Sequence, residues 1–183
     1  MDVVTALGAD LDGAFPGVVE TYQDSLYRFA LRLSGNSQDA EETAQEAFVR
    51  AYRWLKSHQA SLADLALKPW LYQVTLNVFR NGVRRPRPPT ASLDDARELA
   101  GDGRVEPPAV AERTESRAEL ARVLAGLPRR YREAVVLRHV EELSYTEMAA
   151  VLERPEGTIK SDVHRGLGLL RAALAPAREE MLA

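Results

Sequence analysis

Lys160, Ser161, His164 and Arg165 lie close enough together that a helix would carry them on one outer side. Two cations, a hydroxyl and an imidazole so arranged can donate to phosphate oxygens or to base edges. Asn77, Arg80, Asn81 and Arg84 follow at steps of three, one and three beside Trp70, a second polar and basic helix face. Asp39, Glu42, Gln45 and Glu46, at steps of three, three and one, form a third face of acids and an amide. These groups offer hydrogen bonds and charge, and none is a bond-making constellation. By themselves they also match ordinary solvated helix faces, and Trp70 beside Tyr72 also matches a core position. The chain has no cysteine, which removes disulfides, thiol catalysis and thiolate metal sites. His58, His139 and His164 have no metal-ligand spacing to one another or to a carboxylate pair. No Ser-His-Asp arrangement is present, and Glu41 and Glu42 are the paired carboxylates a helical hydrolase would need.

The elements that would hold these faces are helices. Val18, Val19, Tyr22, Leu26, Phe29, Ala30 and Leu33 recur at steps of three and four up to Gly35. A second helix is expected from Ser37 as N-cap, with Asp39, Glu41 and Glu42 in its first turn and a stripe of Ala40, Ala44, Ala47, Phe48, Ala51 and Leu55. A third opens with Pro69 and carries Leu71, Val74 and Val78 toward the core. Further on, Leu120, Val123, Leu124 and Leu127 form a helix that Pro128 ends, and Tyr131, Ala134, Val135 and Arg138 another. The stretch SYTEMAAVLERPEGTIKSDVHRGLGLLR, residues 144 to 171, starts with a capping box of Ser144 and Glu147. Pro155 and Gly157 should force its turn, and Ile159, Val163, Leu167, Leu170 and Leu174 should bury the following helix. That is a helix-turn-helix, whose second helix fits a DNA major groove, although short helical hairpins also occur without DNA.

Residues 86 to 116 hold two proline clusters, two glycines and an acidic excess, a linker by composition. The expected class is therefore all-α, with two small helical domains, 15–85 and 117–178, joined by a flexible linker at 86–116. The net charge is −3, with the acidic excess outside those two mildly basic blocks. A protein that holds DNA alone usually carries a stronger basic patch, so another component should supply much of the affinity. No apolar run approaches the roughly 20 residues that span a bilayer, and no signal peptide opens the chain, so a cytoplasmic protein is expected.

In order, DAEETAQEAFVRAYR, PWLYQVTLNVFRNGVRR and LPRRYREAVVLRHVEELSYTEMAAVLERPEGTIKSDVHRGLGLLR resemble three parts of the extracytoplasmic-function sigma factors. These are the compact two-domain initiation subunits of bacterial RNA polymerase, and the resemblance covers roughly residues 15 to 175. It implies a non-enzymatic promoter-specificity subunit with no cofactor or metal. Asp39, Glu42, Gln45 and Glu46 would dock on the clamp helices of the largest polymerase subunit, with the flap region as a further contact. Asn77 would help capture an unstacked base of the minus-10 element beside Trp70, while Arg80, Asn81 and Arg84 follow the strand. Thr158, Lys160, Ser161, His164 and Arg165 would face the minus-35 duplex. An anti-sigma partner is also implied, clamping two tethered domains so that both DNA faces are hidden.

The sequence departs from the family pattern in three places. The segment Lys56 to Lys68 is long and lacks the aromatic and Arg-Gly residues often found there. Asp162 stands where arginine is usual, and is expected to repel a phosphate at the N-terminal end of the reading helix, with pairing to Arg165 or Arg154 as the alternative. Gly166 and Gly168 are expected to loosen that helix. A free-standing helix-turn-helix regulator and a helical hydrolase are the other function classes open to this sequence.

Overall fold

The computed structural model describes residues 3–59, 62–82 and 119–180, all of whose regular structure is helical. The linker expected at 86–116, with Arg84 just before it, lies outside the described residues. The helices in order are α1 (Val3–Ala9), α2 (Leu11–Ser34), α3 (Ser37–His58), α4 (Leu67–Gly82), α5 (residues 119–126), α6 (Arg129–His139), α7 (Tyr145–Leu152) and α8 (Glu156–Glu180).

The first four helices are built as their periodicity dictates, with corrections at the ends. Helix α2 stops at Gly35, whose φ of 69° is the left-handed conformation that glycine adopts without a Cβ penalty. The N-cap of α3 is Asn36, not Ser37. Its extended backbone lets the side-chain oxygen accept the Asp39 N–H at 2.9 Å. Helix α1 was not foreseen, and α2 begins at Leu11, before the expected domain start. Leu7 and Leu11 are both buried, each such leucine contributing about 1.5–3 kcal/mol. Ala40, Ala44, Ala47, Ala51 and Leu55 bury the expected face of α3 against α2 and α4. On α4, Leu71 and Val78 are buried as expected, but Tyr72, Leu76 and Phe79 replace half-buried Val74. Phe29 and Tyr72 meet edge to face at 5.1 Å.

In the second half, Leu124 and Leu127 are buried while Leu120 is 41% exposed. Ser144 and Glu147 form the expected capping box on α7. The turn into α8 differs from expectation. Glu153 takes the left-handed conformation at φ 54°, and Gly157 is an ordinary helical residue inside α8. Pro155 does contribute to the turn, because its ring suits a helix start and its carbonyl accepts from Thr158 and Ile159.

The two halves pack against each other. One apolar cluster runs from Leu7, Leu26 and Leu76 to Leu137, Met148 and Ile159, and α4 lies along α7. Arg132 of α6 donates to the carbonyl of Leu33 at the end of α2 and to those of Ala125 and Leu127. Burial holds its guanidinium below the usual arginine range. Lys68 of α4 donates to the Glu141 carbonyl at 3.0 Å, and Tyr72 O–H donates to the Glu141 carboxylate at 2.5 Å.

Candidate nucleic-acid interface

Helix α8 presents Lys160, Ser161, His164 and Arg165 to solvent, with Thr158 half-buried at its first turn. The opposite stripe of Ile159, Val163 and Leu170 is buried, so the outer row has a fixed direction. Lys160 sits 3.6 Å from Glu156 and 5.3 Å over the Tyr145 ring, and Ser161 Oγ donates back to the Gly157 carbonyl at 3.1 Å. Both side chains can exchange these surface contacts for a ligand at small cost.

Asp162 is not part of that outer row. It is 0% exposed, and its two oxygens accept from Arg130 at 2.7 Å and Arg154 at 2.8 Å. The expected repulsion of an approaching phosphate is therefore overturned in favour of the alternative, pairing with Arg154, because the carboxylate faces inward and is neutralised. Helical phase explains the placement, since Asp162 is three residues after Ile159 and beside Val163 on the buried stripe. Gly166 continues the same stripe and does not loosen the helix. A Cβ there would come within 2.6 Å of Val135 Cγ2 and 3.3 Å of Tyr131, so the glycine lets α8 approach α6. Gly168 meets nothing within 4 Å.

On α4 the expected face is split. Asn77 and Asn81 are exposed and Trp70 is half-buried. Arg80 turns toward the second half, where Nε and Nη2 donate to Glu133 at 3.2 and 2.7 Å. Gln73 likewise donates to Glu153 at the end of α7, at 3.0 Å. Trp70 meets Trp54 at 4.9 Å, and Trp54 stacks on His58 at 4.2 Å. Trp54 and His58 stand at the start of the atypical segment Lys56 to Lys68 and Trp70 just past its end, so the ring contacts join its two ends.

On α3, Glu42 and Gln45 are exposed, and Asp39 and Glu46 half-exposed. Local partners hold them, with Gln38 donating to Glu42, Gln45 to Glu41 and Arg50 to Glu46. They form one acidic row away from the core. Among the described residues no group of His, Asp or Glu is placed to hold a metal ion, and no helix is long and apolar enough to cross a membrane.

The sequence reading missed Glu133. Its side chain is 2% exposed and accepts from Arg80, Arg129 and Arg154. Burying a carboxylate this deeply demands such pairing. The signal was its place next to Ala134 and four residues before Leu137, on the buried side of α6.

Residues 18–87 match the family model for sigma-70 region 2, and residues 117–170 that for sigma-70, region 4. The chain is 32% identical over 170 residues to the ECF RNA polymerase sigma factor SigW of Bacillus subtilis, covering 88% of this chain and 89% of that one. It is 32% identical over 175 residues to the RNA polymerase sigma-H factor of Pseudomonas aeruginosa, covering 91% and 89%. Among solved structures it is similar to the sigma factor RpoE from Bartonella quintana in complex with the anti-sigma factor NepR. The TM-score is 0.67 and the identity 25%, over 88% of this chain and 96% of that one. With both sigma-70 regions in order on one helical frame, the chain belongs to the extracytoplasmic-function sigma factors, the subunits that give RNA polymerase its choice of promoter.

Proposed function

We propose that the three exposed faces divide the work of initiation among them. The acidic row Asp39, Glu42, Gln45 and Glu46 docks on the clamp helices of core polymerase, with the flap region engaging the second half. The flank Trp70, Asn77 and Asn81 takes an unpaired base of the minus-10 element, with Arg84 following the strand. Thr158, Lys160, Ser161, His164 and Arg165 read the minus-35 duplex. Residues 15–85 act as region 2 and 117–178 as region 4. The protein works in the cytoplasm without catalysing a reaction of its own.

The observation that carries this reading is the exposure of Asn77 and Asn81 on a helix whose other sides are buried or engaged. Two amides held at a fixed orientation suit the edge of an extruded base. Arg80 joins them only when its pair with Glu133 opens, so full strand capture requires the halves to separate. The halves pack through the chain's own residues and still leave Asn77, Asn81 and the outer row of α8 exposed, so an anti-sigma partner has to cover those faces itself and not merely clamp two tethered domains together.

Loss of a base contact is worth about 1 to 3 kcal/mol, so Asn77→Ala should lower open-complex formation about 5- to 150-fold. Permanganate footprinting of a melted promoter measures this, and normal melting with poor duplex binding would show the role misplaced. Glu46→Arg combined with Gln45→Ala should abolish co-purification with core polymerase at unchanged helical content. Undiminished co-purification would reject the docking face.

A further inference from the structure

A cleft of about 590 Å³ lies between the two halves, lined by Arg80 of α4, Arg129, Arg130 and Glu133 of α6, Arg154 of the turn and Thr158 of α8. Four guanidiniums meet here, and the carboxylates that face them are Glu133 and, behind the cleft, Asp162. Both acids are buried, at 2% and 0% side-chain exposure, and all four of their oxygens accept from these arginines. The arginines are more open, from 21% for Arg154 to 53% for Arg130. Buried acids thus orient a rim of cations, and among the described residues these four positive charges meet two negative ones. Each guanidinium has five N–H donors in a rigid fork, more than the two carboxylates use. A group that completes this arrangement must be anionic, rich in acceptors and compact.

We propose that the cleft binds the phosphate groups of a small diffusible ligand, a diphosphate or phosphate ester. The cleft opens broadly to solvent, so a small anion can reach its guanidiniums directly. Guanidinium forks match phosphate oxygens two at a time. Arg80 comes from one half and the remaining arginines from the other, so a bound phosphate ties the halves together. On the reading of Arg80 given above, it also keeps that arginine from the promoter strand, and the ligand acts as a negative effector.

Titration calorimetry of the full chain with pyrophosphate at low ionic strength tests the site without polymerase or promoter, so its failure leaves the assigned faces untouched. A saturable 1:1 isotherm that weakens with salt is expected. Arg129→Gln, at a side chain 46% exposed and outside the promoter-reading faces, should weaken binding about 10- to 150-fold. Arg129→Lys, which keeps the charge and loses the fork, should fall between. Absence of saturable heat, or wild-type affinity in Arg129→Gln, overturns the proposal. A minus-35 duplex oligonucleotide forms the second arm. If it displaces pyrophosphate and depends equally on Arg129, the arginines serve the DNA backbone, and the small-ligand site is overturned.

Discussion

Replacing Asp162 with alanine deletes the acceptor that joins three elements, α6 through Arg130, the turn through Arg154, and α8 itself. Two features of the structure limit the damage. Arg130 is 53% exposed and can hydrate once released, and Arg154 keeps its 2.9 Å bond to Glu133. Breaking a buried pair by removing one partner costs about 3–5 kcal/mol. With Arg154 still partnered, the lower end applies, about 3 kcal/mol. Urea unfolding followed by circular dichroism measures it, and with slopes of about 1–3 kcal/mol per molar the midpoint should fall by at least about 1 M. Asp162→Arg should be worse, because it adds a third guanidinium to a position sealed from water. Both variants should bind a minus-35 duplex more weakly, since α8 loses its tie to α6. A midpoint within about 0.3 M of wild type, or tighter duplex binding by Asp162→Arg, would refute the reasoning and restore the carboxylate to the surface.

Gly166→Ala should lower the melting temperature, because a Cβ 2.6 Å from Val135 Cγ2 and 3.3 Å from the Tyr131 backbone overpacks by about 1–3 kcal/mol, which outweighs the roughly 1 kcal/mol gained in helix propensity. Gly168→Ala, with open space around it, should raise the melting temperature through that propensity alone. Burial holds the Glu141 carboxyl above its ordinary value of 4.5, against the opposing pull of Tyr72, Arg32 and Lys68. The native state then binds that proton more tightly than the unfolded one. Its contribution to stability is largest below 4.5 and is lost as pH rises through the elevated native value. Glu141→Gln should flatten that part of the curve of urea midpoint against pH, and an unchanged slope would argue against it. Asn36→Ala should cost about 1 kcal/mol by uncapping α3, read as a drop in urea midpoint.

Local rules settled the helices, and tertiary packing settled which way their polar residues face. The stripes on α2 and α3, the stop at Gly35 and the capping box at Ser144 depend on neighbours within four residues, and their spacing shows in the chain itself. The identity of the family was legible for the same reason, since its helices follow in a fixed order. The charge of Asp162 points to the surface while its helical phase puts it beside Val163 on the buried side, and only the positions of Arg130 and Arg154 decide between the two. Gly166 looked like a loosening residue because only the position of Val135 on another helix reveals the close approach. The division of the α4 face, with Asn77 and Asn81 open and Arg80 held by Glu133, depends on two residues 53 positions apart. The length of chain between such partners leaves no local period to read. Their pairing follows from the docking of α4 along α7, which buries apolar surface from both halves and brings the guanidinium within reach of the carboxylate.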